Sequence, residues 1–499
     1  MKNKFYITTA IPYVNADPHI GFTMELIQAD VLARYHRQKG DDTMLIAGAD
    51  ENSLKNVQAA EKAGMPVADF VEQCTQKFIE LGKAVNYSGD DFVRTTEERH
   101  VKAAQKIWQA CFDAGDIYKK SYKGLYCVGC EEFKTKKELV DGLCPEHRVA
   151  PEEVDEENYF FRLSKYEKQL AGLFDGDMRI VPDSRGNEMR EFIKGGLEDF
   201  SISRSRARAK NWGISVPGDD SQVMYVWFDA LVNYITALGY GSDDESLFEK
   251  YWTNNDVRCH LIGKGITRFH AIYWPAMLIS AGLKPPSTIY VHGYVTLDGE
   301  KISKSLGNTV DPFGVIEKFG VEVVRYYLLR EIASDGDGDF SEKKLIDRYN
   351  GDLANGLGNL VQRVATLIEN NLGGELVFNE DSVNPETKEA IASITKEKIE
   401  FMEQFRLHEA LGSIWKLITH ADRYMNDTKP WSVVKENPEE FKKIMATIVL
   451  AIWHVAHGIQ PFLPETAEKI FTVFGTTEEP KVGSKLLVKK SAGLFPRLG

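Results

Sequence analysis

The residues best suited to chemistry lie in two patches far apart in the chain. Pro18-His19-Ile20-Gly21-Phe22 follows a short apolar run near the start. Lys301-Ile302-Ser303-Lys304-Ser305 lies downstream between Gly299 and Gly307. A helix that opens behind a strand offers N–H groups and a positive dipole end to an anion. Pro18 suits a first helical turn, His19 can donate to a phosphate oxygen, and Gly21 lets a nucleotide approach the backbone. Lys301 and Lys304 add two cations on a loop that flanking glycines allow to close and reopen. Together these groups suit attack of a carboxylate on the α-phosphate of ATP. That reaction brings two anions together and expels pyrophosphate, so positioning and charge stabilisation do most of the work. Taken singly, the first patch is an ordinary structural turn and the second a solvated basic loop.

A third cluster has metal-ligand spacing. Cys127-Val128-Gly129-Cys130 and Cys144-Pro145-Glu146-His147 are separated by 13 residues. Three thiolates and an imidazole suit a closed, tetrahedral structural zinc site that would staple a small segment with little core of its own. The alternative is a degenerate knuckle that folds without metal. Cys74, Cys111 and Cys259 are scattered and read as buried apolar residues.

The elements that must position these groups follow from periodicity. Residues 4–10 read as a buried strand, 19–39 as a helix with Ile20, Met24, Ile27, Val31, Leu32 and Tyr35 on its apolar face, and 43–47 as a parallel strand. Strand, helix and strand recur at 257–262, 267–281 and 287–292, which predicts an α/β fold with a Rossmann-like, doubly wound parallel sheet. Between these halves the pattern breaks into short strands, the cysteine cluster and charged loops. Beyond about residue 345 helices are expected over 352–372, 386–426, 439–457 and 464–474. The expected division is 1–116 and 223–295 for the two halves of the sheet domain, 117–222 for an inserted zinc-knuckle domain, 296–348 for the lysine-loop region and 349–499 for an all-α bundle.

With 499 residues, 43% of them hydrophobic and 27% charged, the chain is expected to form two to four globular domains. A formal net charge of −13 argues against a protein that coats nucleic acid, while leaving room for a local basic face. No run of eighteen apolar residues occurs, so no membrane partner is expected. Met1-Lys2-Asn3-Lys4 leads straight into the first strand and leaves no room for a targeting peptide. Cytoplasmic residence is expected.

His-x-Gly followed by Lys-x-Ser-Lys-Ser resembles the signature pair of the class I aminoacyl-tRNA synthetases. Tyr290-Val291-His292-Gly293-Tyr294 is similar to the family's strand that ends in a nucleotide-facing glycine. Phe22 stands where that family has a second histidine, and Ile302 where it has methionine. Gly265 stands where it usually has aspartate, and Tyr294 where an aromatic, often tryptophan, is usual. Ala10-Ile11-Pro12-Tyr13, Tyr225 to Leu231 and Ile266 to His270 closely resemble the methionyl-tRNA synthetase branch.

The resemblance implies that His19, Gly21, Gly263, His292, Gly293, Lys301 and Lys304 bind ATP, with Mg2+ accompanying the nucleotide. His19, Lys301, Lys304 and Arg204 are implied at the reacting groups. Ile11, Tyr13, Trp227, Ala230, Leu231, Tyr234, Ile266 and His270 would line a methionine side-chain pocket, and Asp50 would hold the ammonium. Aromatic walls suit a polarizable thioether; the alternative is that Tyr13 and Trp227 are ordinary core aromatics. The insert, about a hundred residues, is too short for the editing domain that relatives use for branched aliphatic substrates. The bundle is implied to bind the anticodon of tRNA(Met). Asn359 and Arg363 would reach base edges and Trp431 would stack a base; the alternative for Trp431 is a buried cap on the bundle. Leu494-Phe495-Pro496-Arg497 looks like the family's usual end of the core, so a monomer is expected. The implied activity is methionine–tRNA ligation through methionyl-adenylate. Alternatives are a synthetase for another amino acid, a related adenylyltransferase, and a non-catalytic tRNA-binding protein.

Overall fold

A computed structural model describes residues 2–127, 132–134, 136–145, 148–297, 300–301, 310–379, 383–490 and 493–496. The chain divides into two compact units, Met1–His292 and Gly293–Gly499.

The first unit is built on a six-stranded sheet of β1 (Lys4–Thr9), β2 (Asp42–Ala49), β3 (Asp91–Arg94), β7 (Arg179–Val181), β12 (Arg258–Gly263) and β13 (Thr288–His292). The order is β3-β2-β1-β12-β13-β7 and every pairing is parallel. Both faces are covered at the centre of the sheet, so β1, β2, β12 and β13 are buried in unbroken runs without alternation; β1 has five of six residues buried. From β1 the chain winds through β2 to β3 at one edge, then returns to β12 beside β1 and winds the other way. The order therefore reverses between β1 and β12. In such sheets the crevice beyond the strands' carboxyl ends at that point is where ligands bind. The segments after β1 (Ala10–Tyr13), β2 (Asp50) and β12 (Lys264 onward) and the end of β13 (His292) are carried to that end of the sheet.

Helix α1 (Ile20–Gln38) covers the sheet with fourteen of its nineteen residues buried. Glu25, Gln28 and Asp30 are among them, so this helix carries polar groups into the interior. Helices α2 (Leu54–Ala63), α3 (Val67–Ala84) and α4 (Glu98–Asp113) follow β2 and β3.

The expected single helix over 267–281 is broken. A 310 turn spans Lys264–Ile266, a wide turn Phe269–Tyr273, and a regular helix only Trp274–Ser280. Pro275 supplies the reason: it has no N–H to bond back to Ala271, so the preceding turn widens.

The segment read as the insert forms two further sheets. β4 (Ile117–Cys127), β5 (Glu132–Lys134), β6 (Glu152–Phe161) and β8 (Phe200–Ser201) pair in the order β5-β4-β6-β8. β9 (Ser203–Ser205), β10 (Ser215–Val216) and β11 (Asp219–Met224) pair as β10-β11-β9. Within the same segment, β7 returns to the edge of the main sheet against β13. Residues 117–222 are thus tied into the sheet domain by a strand of three residues, too short to leave a period of its own.

In the second unit, β14 (Val295–Leu297) pairs with β15 (Glu300–Lys301) and β16 (Gly338–Phe340). Helices follow over Asn359–Leu372, Pro385–Glu403, Leu407–Thr428, Pro430–Glu436, Pro438–Ile459 and Pro464–Phe474. The helix expected over 386–426 is two, because Phe405 takes a φ of 61° between them. Arg325, fully buried, donates to the carbonyls of Phe462 (2.8 Å) and Pro461 (3.3 Å) and so fixes the turn between the last two helices. β17 (Glu375–Val377) and β18 (Lys485–Leu487) close the unit as an antiparallel pair. Among the described residues no helix is long and apolar enough to cross a membrane.

Candidate nucleotide and amino-acid site

His19 caps α1 in extended conformation, and its Nδ1 accepts from the Gly21 N–H at 3.1 Å. Nδ1 therefore carries the lone pair and Nε2 the proton. The N–H groups of Phe22 and Thr23 both donate to the His19 carbonyl. The helix start is thus partly closed on itself, which corrects the expectation of open backbone donors: the donor it presents is the ring Nε2–H. Gly21 suits this arrangement, because a Cβ there would lie 3.0 Å from both Nδ1 and Cε1 of the ring, so the ring would have to shift. Phe22 is buried and meets Phe78 of α3 edge-on at 5.3 Å.

Glu25, in the second turn of α1, ties the helix to two strand ends and reaches a third through His292. Its carboxylate accepts from the Ala10 N–H at 2.7 Å just after β1 and from His292 Nε2 at 2.8 Å at the end of β13. His292 in turn packs over Gly263 at the end of β12, where a Cβ would come within 3.5 Å of the ring. This carboxylate had no part in the sequence reading. Its signal was a charged residue within the helix's apolar run, but its partner lies 267 positions away.

The proposed amino-acid pocket residues converge around Trp227. Tyr13 meets its ring at 6.4 Å and 63°, His270 at 6.3 Å and 82°, and Phe269 stacks flat on it at 3.9 Å and 5°. Among the described residues the buried Trp227 Nε1 has no hydrogen-bond partner. Ala230 and Leu231, in the turn that carries Trp227, are buried, while Ile11 and Ile266 are half-buried. Ile11 sits against Gly48 of β2, where a Cβ would fall 2.8 Å from it. Phe269 was missed by sequence, although it immediately precedes His270.

Tyr234 and His270 meet in this pocket, and their protons can be placed. His270 Nδ1 lies 2.9 Å from the Ile266 carbonyl, which can only accept, so Nδ1 carries the proton. Nε2 then accepts from the Tyr234 hydroxyl at 2.7 Å. Burial holds His270 down to about 4 and raises Tyr234 well above the usual phenol range. Behind them, Trp274 Nε1 donates to His260 Nε2 and His260 Nδ1 pairs with Thr8 Oγ1. Asp50, also buried, continues β2 by donating its N–H to Pro12 O, and pairs with Tyr13 across a bridge. Its Oδ1 accepts from Asn52 N–H, and Asn52 Nδ2 donates to the buried Asp229, whose other oxygen meets His100 at 2.8 Å.

Arg204 sits on β9, buried, with its guanidinium 4.8 Å from the Tyr126 ring and 5.1 Å from that of Tyr225. A cavity of about 570 Å³ opens beside this wall, lined by Tyr122, Phe160, Tyr225, Arg268 and Tyr273 among others. Phe269 joins the two spaces, stacking on Trp227 and meeting Tyr273 at 5.3 Å.

Of the metal candidates, Cys127 and Cys144 are fully buried and, among the described residues, form no disulfide; Cys130 and His147 lie outside the described residues. Lys304 also lies outside them, and Lys301 is described only as backbone in β15, pairing with Thr296. In the second unit, Gly293 comes so close to Gly336 that a Cβ would fall 2.0 Å from its carbonyl oxygen. There too, the Arg363 guanidinium lies 5.6 Å from the Trp431 ring, and Trp431 is 42% exposed at the start of a short helix, not in a loop. Asn359, one turn before Arg363, is exposed.

Comparison with known proteins agrees with this geometry. The family described as "tRNA synthetases class I (M)" matches residues 5–156 and 147–365, and "Anticodon binding domain of methionyl tRNA ligase" matches residues 372–490. A methionine–tRNA ligase of Thermotoga maritima is 43% identical over 96% of this chain and 76% of its own. One of Brucella suis is 40% identical over 99% of this chain and 96% of its own. The structure of Mycobacterium tuberculosis methionyl-tRNA synthetase in complex with methionyl-adenylate superposes with a TM-score of 0.93 at 38% identity, over the whole of both chains. With an all-parallel sheet, a capped helix at its switch point and a helical region matching the anticodon domain, the chain belongs to the methionyl-tRNA synthetase family of class I aminoacyl-tRNA synthetases.

Proposed function

We propose that this protein is a methionine–tRNA ligase, which activates L-methionine with ATP and transfers it to the 3′ end of tRNA(Met). The observation that carries the reading is the neutral Tyr234–His270 pair inside an aromatic pocket beside the switch point of the sheet. Tyr13, Trp227, Ile11, Ala230, Leu231 and Ile266 receive the side chain. The neutral pair offers the sulfur a weakly polar neighbour, while a charged side chain would be buried unpaired. Asp50 pairs with the substrate ammonium.

In the first step a methionine carboxylate oxygen attacks the α-phosphorus, the bond to the bridging oxygen breaks, and pyrophosphate leaves with that electron pair. His19 donates its Nε2–H to a phosphate oxygen, Gly21, Gly263 and Gly293 are assigned to the nucleotide, and His292 is held by Glu25. Arg204, Lys301 and Lys304 offset the charge of the reacting and departing phosphates; one such preorganised donor is worth about 10²–10³ in rate. Mg2+ enters with ATP as part of the substrate. In the second step the 3′-terminal ribose hydroxyl of tRNA attacks the carbonyl carbon and AMP departs. The aromatic cavity beside Tyr225 and Arg268, whose lining also carries Lys120 and Lys134 against Glu138, Glu198 and Asp199, is the space we assign to that terminal nucleotide.

The anticodon reading is supported by Trp431, whose ring is 42% exposed and so has surface on which to stack a base, with Arg363 and Asn359 reaching base edges. Two buried thiols, Cys127 and Cys144, fit a structural zinc held with Cys130 and His147. When bound, zinc supplies a covalent staple for the insert and no chemistry. The domain divisions at 117, 223, 296 and 349 are kept on this reading, as are a monomer and a cytoplasmic setting.

ATP–pyrophosphate exchange with each of the twenty amino acids tests the proposal. Exchange with methionine alone is expected. Exchange with another amino acid overturns the pocket, and silence with all twenty from folded protein leaves a tRNA-binding protein.

A further inference from the structure

The cysteine-bearing strand reaches the reacting groups through one ring. Tyr126 precedes Cys127 at the end of β4 and is 1% exposed. Two guanidiniums lie within cation–π range of it, Arg204 at 4.8 Å and Arg208 at 4.4 Å. These arginines belong to the β9 strand and the turn after it, in a different sheet from β4. Arg208 is itself held by carboxylates of β6, 3.7 Å from Glu156 and 3.7 Å from Glu152, the residue paired with Tyr126 in register. Arg204 also meets Tyr225, which caps the turn carrying Trp227. The contacts therefore run from Cys127 through Tyr126 to Arg204 and on to the methionine pocket.

A guanidinium with five N–H donors on a flexible stem needs a plane to fix its direction, and an aromatic face supplies one. We propose that Tyr126 is a positioning residue, which aims Arg204 at the reacting groups and makes the placement of the cysteine-bearing strand a determinant of adenylate formation. This rests on the assignment of Arg204 to the reacting groups. The ring face is what matters, so the hydroxyl is dispensable.

The test is a double-mutant cycle in methionine-dependent ATP–pyrophosphate exchange, with bound zinc and thermal midpoint measured on every variant. Tyr126→Phe is expected to keep kcat within about twofold. Tyr126→Leu is expected to lower kcat about tenfold or more, with KM for methionine within about twofold and zinc content unchanged. On an Arg204→Gln background, Tyr126→Leu should cost nothing further. A merely structural role would add its loss on either background, and that additivity overturns the proposal. Arg204→Gln with wild-type exchange overturns it at its base, by removing Arg204 from the reacting groups while methionine activation itself stands. Should Tyr126→Leu fail to fold, Arg208→Met takes its place in the cycle. A smaller loss that vanishes on Arg204→Gln supports the proposal, and one that persists overturns it.

Discussion

Glu25→Gln isolates the one carboxylate that ties α1 to two strand ends. Each oxygen of Glu25 takes one donor, the Ala10 N–H at 2.7 Å and the His292 Nε2–H at 2.8 Å, and the residue is 5% exposed, so no water replaces a lost partner. Glutamine has the same shape but one acceptor and one donor. The Ala10 N–H is fixed in the backbone and retains the oxygen. The new NH2 group then faces the His292 Nε2–H, donor against donor, until the ring shifts or moves its proton to Nδ1. A hydrogen bond to a charged group is worth about 1.5–3 kcal/mol, and a buried orphaned donor costs about 1–3 kcal/mol. Taking about 2 kcal/mol at His292, kcat/KM for ATP falls by a factor of about 30. KM for methionine stays within about twofold, since Ala10 keeps its bond and the chain beyond it keeps its path. The assay is ATP–pyrophosphate exchange with each substrate varied in turn. An unchanged ATP dependence in folded protein refutes the role given to Glu25. A change confined to methionine shows instead that the bond to Ala10 is the one that matters.

Gly21→Ala places a Cβ 3.0 Å from the His19 ring and breaks its 3.1 Å bond to residue 21, so exchange should slow by about 10²-fold while thermal midpoint falls little. Trp431→Ala should lower tRNA charging by about 5–150-fold, from about 1–3 kcal/mol of stacking, and leave exchange unchanged; equal losses in both assays remove the anticodon role. Burial depresses His270 to about 4 from 6.5, so its contribution is complete above pH 6.5 and is lost as pH falls towards 4, on the order of 3 kcal/mol in all. The fall in thermal midpoint across that window should be shallower in His270→Gln; an identical slope would show that His270 does not titrate on unfolding. Protein purified without added zinc should carry one metal per chain, and clearly substoichiometric metal removes the zinc staple.

Local order was legible because it is written locally. The buried strands β1, β2, β12 and β13 are apolar runs, and Pro18-His19 announces the start of α1 within two residues. What stayed hidden depends on partners distant in sequence or on single backbone angles. Glu25 gains meaning only when β13 is laid two strands from its helix, and β7 only when it finds the sheet edge. Phe405 ends a helix by a φ of 61° that its residue type does not advertise. Trp431 was equally readable as a buried cap or an exposed platform from sequence; its 42% exposure shows a ring that is open to solvent in part. The individual pocket residues followed from the resemblance, whereas the proton positions on Tyr234 and His270 follow only from coordinates.

Two of the four departures from the family's signatures, Phe22 and Gly265, bear differently on catalysis. Position 22 lies on the buried side of α1, where Phe22 meets Phe78 of the neighbouring helix, so its side chain serves the packing of α1 on α3. A histidine there would be desolvated and would need a partner that the phenyl ring does not. The donor presented by the cap belongs to His19, whose proton is fixed on Nε2 by a bond from its own helix. Loss of a histidine at position 22 therefore leaves that donor in place. Gly265 is different: it is exposed in the 310 turn after β12 and brings no carboxylate to the nucleotide end of the sheet. If either departure slows the first step, the geometry assigns the cost to Gly265, and Gly265→Asp should lower KM for ATP while Phe22→His should chiefly lower stability.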